Sequence, residues 1–193
     1  YDEISQYTVG DSDESIPLLT EVLAAIPTSI EVNLELKHPG REGLQFGAVD
    51  ADAREAAVAR WQPFVERALD VATATDHDLL VSSFYEGALA AARAVDAAVP
   101  LAPIVADSAA TGLALARRYD AAAIHPAMEL VLDAPVASST EDDSADADLV
   151  ANAHDAGYRI NVWTVTTRAE ATALSRAGVD GLIADTPALV PHS

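Results

Sequence analysis

The hydrophobic pattern changes its period repeatedly along the chain. Between residues 29 and 37 apolar and polar residues alternate strictly, with Ile30, Val32, Leu34 and Leu36 on one side. A period of two predicts a β-strand. Short apolar stretches predict five further strands, at residues 79–84, 101–105, 121–125, 159–165 and 181–184.

Longer amphipathic stretches separate these strands. Apolar residues recurring at every third and fourth position predict helices over residues 18–25, 52–73, 86–98, 109–119, 147–156 and 168–177. Gly157 and Gly178 stand where a helix ends with a glycine. An irregular acidic stretch, residues 133–146, interrupts the rhythm.

Strands that alternate with helices imply a parallel α/β sheet. A (β/α)8 barrel needs about 250 residues, or about 190 for six of its eight units; the chain has 193. An open sheet would have a similar length, but its central strands would be apolar on both faces. Because Glu31, Asn33, Glu35 and Lys37 share one face, we predict a single-domain TIM barrel over residues 1–193 with six of its eight βα units.

The net charge of the chain limits the partners that it can bind. Asp and Glu number 31 against 11 basic residues, a formal charge of −20, which repels nucleic acids and anionic membranes. Acid spread over the surface favours a salt-loving host, with an unusually acidic mesophile as the alternative. No apolar run is long enough for a membrane span, and no signal peptide is visible. We expect a cytoplasmic protein whose natural N-terminus lies upstream of Tyr1.

Glu35 and Lys37 form the best-supported candidate site in the sequence. They project on the same side at the carboxyl end of a strand, where the active sites of barrels lie. A carboxylate suits a metal ion and an ammonium suits a phosphate oxygen; an interior ion pair is the structural alternative. Lys37 is the chain's only lysine, which favours a function. His125 ends another predicted strand and could face the same mouth, or be structural.

Five segments in order resemble the glycerophosphodiester phosphodiesterase family. Ile16-Pro17-Leu18-Leu19-Thr20-Glu21-Val22-Leu23 resembles the family's helix, and Asn33-Leu34-Glu35-Leu36-Lys37 resembles the strand that follows it. The further matches are Ser82-Ser83-Phe84, Ala156-Gly157 before Val162-Trp163-Thr164-Val165, and Gly178-Val179-Asp180-Gly181 leading to Ala184-Asp185-Thr186-Pro187. The resemblance spans almost the whole chain.

The resemblance implies metal-dependent hydrolysis of a glycerophosphodiester to a glycerol phosphate and an alcohol. It implies that Glu35 is one of three carboxylate ligands of Ca²⁺ or Mg²⁺. Lys37 would contact the substrate phosphate, and Trp163 would wall the pocket beside the glycerol. Oxygen ligands suit such hard cations.

The family's catalytic histidines do not occur in this chain. They belong to a His-Arg-Gly and a His-Asp that, with a Glu-x-Asp of metal ligands, precede the helix at residue 18; only about fifteen residues stand there. His77-Asp78 follows a different strand, so no catalytic residue is assigned. The resemblance implies an N-terminal truncation that removes the first two βα units of the TIM barrel. A non-catalytic barrel that binds a phosphorylated ligand or a protein partner is the alternative, and another phosphate ester hydrolase is a third.

The remaining candidates are interpreted as structural. His38 is taken as a loop residue, and His154 suits the end of its helix. Asp185 could hold a loop or a ligand, and we favour the loop. The acidic run after Glu141 lacks the glycine and glutamate of a calcium loop. Six strands would leave two open barrel edges. We therefore expect homo-oligomers formed across those edges, strand exchange, or a missing segment that belongs in the fold.

Overall fold

Six strands form one sheet in the computed structural model, which describes residues 4–10, 12–38, 43–132 and 148–189. They are β1 (Val32–Glu35), β2 (Leu79–Ser83), β3 (Leu101–Val105), β4 (Ala123–Pro126), β5 (Arg159–Val165) and β6 (Gly181–Ala184). Neighbouring strands are parallel, and their order in the sheet follows the chain. The predicted six-stranded parallel sheet is confirmed.

Helices connect the strands as the periodicity predicts. They are α1 (Leu19–Ala25), α2 (Arg54–Ala72), α3 (Glu86–Val95), α4 (Ala109–Arg118), α5 (Glu129–Leu132), α6 (Leu149–Asp155) and α7 (Arg168–Arg176). Short 3-10 turns cover Ile4–Gln6, Ala51–Ala53 and Pro187–Leu189. The one-turn helix α5 was not predicted, and the acidic stretch 133–146 lies outside the described residues. None of the helices described is long and apolar enough to cross a bilayer.

Local capping residues set several helix boundaries. The Ser108 hydroxyl accepts a hydrogen bond from Thr111 N at 3.1 Å, and Thr167 and Glu170 form a reciprocal capping box at the start of α7. Gly157 and Gly178 follow α6 and α7 with φ of 84° each, a conformation that glycine adopts at no steric cost. Both predicted helix ends are confirmed.

A contact between distant strands shows that the sheet is curled. Arg159, at the start of β5, donates to both carboxylate oxygens of Glu31, just before β1, at 2.9 and 3.0 Å. In a flat sheet β1 and β5 would lie roughly 19 Å apart, four spacings of about 4.8 Å. The side chains could not span that distance, so the six strands form a curled half-barrel. This confirms a partial TIM barrel.

The curl gives the sheet two different faces. The outer face packs against the helices in the main core, which includes Val81, Ile124 and Val162. The inner face carries a much smaller apolar cluster of Leu80, Ala102 and Ala123. Complete barrels usually fill this interior with branched apolar residues. Here polar as well as apolar side chains line the space above the small cluster.

Among the described strands, β1 and β6 each pair on one side only. Because every strand is parallel to its neighbours, all six carboxyl ends lie at the same end of the half-barrel. Side chains near those ends can therefore converge, although residues 33 and 185 are far apart in the chain.

Candidate active site

A cavity of about 340 Å³ opens at the carboxyl ends of the strands. That size suits a small molecule. All six strands, or the residues directly after them, contribute to its wall, which consists of Asn33, Glu35, Lys37, Phe84, Ile104, His125, Trp163, Thr164, Ile183 and Asp185. The structure thus brings Glu35, Lys37, His125 and Trp163 together in one cavity.

Glu35 and Lys37 form an ion pair at the rim. Lys37 Nζ lies 2.8 Å from Glu35 Oε1, with 75% of the lysine and 28% of the glutamate side chain exposed. The strand period places both on the inner face, while Leu34 and Leu36 pack outward into the core. Such an exposed pair adds little stability, so its carboxylate and ammonium remain available to a ligand.

His125 lies in the cavity wall as a completely buried imidazole. Burial, with a smaller contribution from the nearby Arg159, lowers the pKa of His125 to about 4, although the Glu31 carboxylate acts in the opposite direction. The ring is therefore neutral at pH 7. Its Nδ1 has no hydrogen-bond partner in the described structure.

Asn161 fixes the orientation of the imidazole. Its Nδ2 lies 3.0 Å from His125 Nε2, and an amide nitrogen can only donate, so Nε2 accepts and the ring proton belongs on Nδ1. Asn161 in turn fits against Gly181 on the neighbouring strand, where an added Cβ would clash with Asn161 Oδ1. The glycine leaves the room that the amide occupies.

Trp163 and Phe84 form the aromatic part of the cavity wall. The Trp163 indole nitrogen donates to the His125 carbonyl oxygen at 2.8 Å, which ties the ring to the neighbouring strand. The Phe84 ring meets it edge to face, with centroids 5.2 Å apart. Phe46, 60% exposed, stacks on Phe84 at 5.3 Å.

A buried carboxylate holds the loop that carries Phe46. Glu86, at the start of α3, is fully buried and accepts hydrogen bonds from Val49 N, Arg54 Nε at 3.1 Å, Arg118 Nη1 at 2.8 Å and Tyr119 Oη at 2.7 Å. Burial alone would raise the pKa of Glu86, but these four hydrogen bonds outweigh it and lower the pKa. Glu86 therefore stays ionised and fastens the loop after β1 to the helices.

The cavity offers part of a cation site. Glu35 and Asp185 present carboxylate oxygens, the donors that Ca²⁺ and Mg²⁺ prefer. Within residues 4–10, 12–38, 43–132 and 148–189, however, no three His, Asp or Glu side chains gather around one point. These donors fit a hard cation in kind but do not complete its coordination.

Three other histidines lie outside the cavity wall. His38 packs near the Tyr85 ring, with centroids 5.7 Å apart. His77 precedes β2, at the opposite end of the half-barrel, where its ring nitrogens meet Thr75 Oγ1 at 3.0 Å and Ile26 O at 2.9 Å. His154 Nε2 lies 2.8 Å from Asp180 Oδ2.

Sequence reasoning missed several residues of the cavity wall. Asp185, interpreted as a loop residue, lines the cavity, as do Asn33, Phe84 and Ile183. The inward period of β1 could have found Asn33, which shares its face with Glu35. Phe84 and Asp185 directly follow the carboxyl ends of β2 and β6, a position that predicts proximity to the mouth once a barrel is assumed.

Comparisons with known proteins agree with the fold. The Oleispira antarctica phosphodiesterase, solved with its product sn-glycerol-3-phosphate, is 21% identical, with a TM-score of 0.61 over 90% of this chain and 59% of its own. A glycerophosphodiester phosphodiesterase from Parabacteroides distasonis is 17% identical, with a TM-score of 0.64 over 97% of this chain and 67% of its own. The chain thus spans about three-fifths of the first of these relatives. No curated protein sequence matches it.

A family model matches almost the whole chain. The model of the glycerophosphoryl diester phosphodiesterase family matches residues 2–189, which is nearly the whole chain. The match includes every strand of the half-barrel and every residue of the cavity wall. This chain belongs to the glycerophosphoryl diester phosphodiesterase family.

Proposed function

We propose that the full-length protein hydrolyses glycerophosphodiesters to a glycerol phosphate and an alcohol. The observation that carries this proposal is the cavity at the strand ends, in which Glu35 and Lys37 stand side by side at the rim. The sn-glycerol-3-phosphate held by the Oleispira antarctica phosphodiesterase supports the same class of ligand.

Lys37 is the proposed phosphate-binding group. Its ammonium carries three N–H donors, and Glu35 takes one of them at 2.8 Å. Two donors are left for phosphate oxygens, and the exposed side chain can reach a ligand that enters from solvent. Charge-assisted hydrogen bonds of this kind are about twice as strong as neutral ones.

Trp163 and His125 are the proposed substrate-binding wall. Trp163 offers a flat apolar surface whose position is set by its hydrogen bond to the His125 carbonyl. The neutral His125 imidazole keeps this part of the wall uncharged, which suits the glycerol rather than the phosphate. The charged and uncharged parts of the wall would thus orient the substrate.

Glu35 is the proposed ligand of a divalent cation, Ca²⁺ or Mg²⁺. When bound, such a cation neutralises the phosphodiester charge and activates the attacking hydroxyl. Lys37 would hold the phosphate beside Glu35, and the cavity wall would exclude bulk water from the other side. We assign no general acid or base to the described residues.

The test is hydrolysis of glycerophosphodiesters by the full-length protein, followed by release of glycerol phosphate. We expect Glu35→Ala to lower kcat/KM by about a hundredfold or more, a loss typical of removing one electrostatic group from an active site. Glu66→Ala removes an exposed carboxylate on α2 that is not part of the cavity wall, and we expect it to retain most of the activity.

Normal turnover by Glu35→Ala would contradict the assignment of Glu35. If the wild-type protein releases no glycerol phosphate from any diester but binds sn-glycerol-3-phosphate, the non-catalytic phosphate-binding barrel becomes the better description. Chelation of divalent cations separately tests the cation. If activity survives chelation, the proposed metal is contradicted, whereas the proposed substrate is not.

A further inference from the structure

Two neighbouring serines at the end of β2 use their hydroxyl groups differently. Ser82 and Ser83 are both buried, and successive side chains of a strand point to opposite faces of the sheet. The Ser83 hydroxyl takes part in two hydrogen bonds, whereas the Ser82 hydroxyl has no partner among the described residues. Of the two side chains, the one at Ser83 therefore ties β2 to other parts of the chain.

The Ser83 hydroxyl joins the end of β1 to the turn that follows β2. It donates to the Leu36 carbonyl oxygen at 2.7 Å and accepts from Tyr85 N at 3.1 Å. A hydroxyl has one proton and two lone pairs, so it can make both bonds at once. Because a backbone N–H only donates, the hydroxyl proton is left for the Leu36 carbonyl, and the direction of the hydroxyl group is fixed.

The Leu36 carbonyl belongs to the peptide group that carries Lys37. Leu36 N donates to Ser82 O at 2.8 Å and the Leu36 carbonyl accepts from Ser83, so the backbone of Leu36 is held on both sides of its Cα. A peptide group is planar, and holding Leu36 O therefore also orients Lys37 N and Cα. The Lys37 side chain starts from that Cα and reaches Glu35 at 2.8 Å.

The residue after Lys37 contacts the same turn. The His38 ring packs near the Tyr85 ring, with centroids 5.7 Å apart, and Tyr85 N is the donor to Ser83. Both neighbours of Lys37 in the chain are thus held by residues 83–85. The Lys37 side chain itself is 75% exposed, and an exposed ion pair restrains a side chain only weakly. The direction in which Lys37 projects therefore depends on how its backbone is held.

We propose that Ser83 is a positioning residue for phosphate binding, because its hydroxyl orients the peptide group that presents Lys37 to the phosphate. The inference rests on the proposed function, in which Lys37 binds the phosphate of the diester. Ser83 is buried and lies outside the cavity wall described above. It acts through Lys37 and does not touch the substrate.

The experiment follows Lys37 by NMR of the full-length protein carrying isotope-labelled lysine, titrated with sn-glycerol-3-phosphate. The signal that disappears in Lys37→Arg belongs to Lys37. We expect Ser83→Ala to shift the Lys37 amide signal of the free protein and to weaken sn-glycerol-3-phosphate binding by about two- to tenfold, the range that corresponds to one net hydrogen bond. Ser83→Thr keeps the hydroxyl and should retain most of the affinity.

Ser82→Ala is the matched control. It removes a buried hydroxyl from the adjacent position of the same strand, but one without a partner among the described residues, and it should leave the affinity unchanged. Urea unfolding checks that each variant is folded. If Ser83→Ala does not fold, Ser83→Cys takes its place, because a thiol fills similar space and is a weak donor.

A double-variant cycle separates positioning of Lys37 from general loosening of the site. In Lys37→Ala, which lacks the ammonium, Ser83→Ala should cause no further loss of affinity. Equal losses with and without Lys37, or wild-type affinity in Ser83→Ala, would overturn the inference. In hydrolysis assays we expect Ser83→Ala to raise KM while kcat changes less.

The outcomes distinguish this inference from the proposed function. Hydrolysis of diesters with a KM and an affinity that Ser83→Ala leaves unchanged would contradict only the role of Ser83. Binding of sn-glycerol-3-phosphate that weakens in Ser83→Ala, in a protein that hydrolyses no diester, would support the role of Ser83 and contradict the proposed hydrolysis. A protein that neither binds sn-glycerol-3-phosphate nor hydrolyses a diester would contradict both.

Discussion

At the scale of single residues, two buried ionisable groups behave in opposite ways. Glu86 is buried and ionised because four donors surround it. His125 is buried and neutral because its imidazole has a single neutral partner, Asn161. Burial disfavours the charged form of both groups, and only Glu86 has enough donors to overcome that cost.

We expect Glu86→Ala to lower the free energy of unfolding by about 3–5 kcal/mol, the usual cost of removing one partner of a buried ion pair. The change would leave two arginines and the Tyr119 hydroxyl without their acceptor. Urea unfolding measures the loss. Glu66→Ala is the control, an exposed glutamate on α2 whose removal should cost at most about 0.5 kcal/mol. Equal losses in the two variants would contradict the role of Glu86.

The lowered pKa of His125 makes stability depend on pH. In the unfolded chain its pKa is about 6.5, and in the folded protein about 4, so the unfolded state binds more protons between these values. Stability from this residue is fully present above pH 6.5 and is lost as pH falls toward 4.

Between pH 7 and pH 5 we expect a loss of about 2 kcal/mol from His125. Chemical unfolding at both pH values measures the total change, and His125→Asn, which cannot titrate, should show a change smaller by that amount. Identical pH dependence in the two proteins would mean that the imidazole is not buried and neutral.

At the scale of elements, β5 and β6 approach each other so closely that one position on β6 has no room for a side chain. Asn161 on β5 occupies the volume that a side chain at Gly181 on β6 would need. The same amide contacts His125 on β4. The packing of β4, β5 and β6 at this point therefore depends on the absence of a side chain at Gly181. A strand glycine often marks such a close approach.

Gly181→Ala should therefore destabilise the protein by about 1–3 kcal/mol, the usual cost of overpacking, because the Asn161 side chain would have to move. The added methyl group would push the amide away from His125. Thermal or urea unfolding measures the loss. In the double variant Gly181→Ala, Asn161→Ala the clash is removed, so its cost should be smaller than the sum of the two single costs; simple additivity would show that these residues do not compete for space.

At the scale of the whole molecule, the dominant feature is a formal charge of −20 spread over 193 residues. Mutual repulsion of like charges favours expansion of the chain. Salt shortens the range of that repulsion, from about 10 Å at 0.1 M to about 3 Å at 1 M. The folded state should gain more from this screening than the expanded chain.

We expect the melting temperature to rise as KCl is increased from 0.1 M, with most of the gain below about 1 M, where screening changes fastest. Scanning calorimetry in KCl measures the shift, and sucrose at matched osmotic strength is the control for effects not due to charge. A melting temperature independent of KCl would mean that repulsion contributes little to the stability of this fold.

The strands at the ends of the described sheet give a second prediction at this scale. β1 and β6 have unpaired backbone groups on their outer sides among the described residues, and such edges pair readily with other strands. We propose that copies of the 193-residue chain associate through these edges. Light scattering should give a mass above that of one chain, rising with protein concentration; a monomer at every concentration would contradict the proposal.

The sequence by itself determined the order and type of the main elements. Alternation around Leu34 predicts a strand, and the threefold and fourfold recurrence of apolar residues predicts helices, because each element must bury one face. Glu35 and Lys37 were predicted to share a face for the same reason. Local signals also placed the ends of α6 and α7 at Gly157 and Gly178.

Only the tertiary structure decided which residues from distant strands meet. Asp185 and Phe84 enter the cavity because the sheet curls and brings all carboxyl ends together, and the local sequence around either residue contains no sign of that curl. The same holds for Glu86, which looks like an ordinary first-turn glutamate of a helix. Its burial depends on Arg54 and Arg118, which other helices bring to it, and long-range contacts of this kind leave no periodic pattern in the chain.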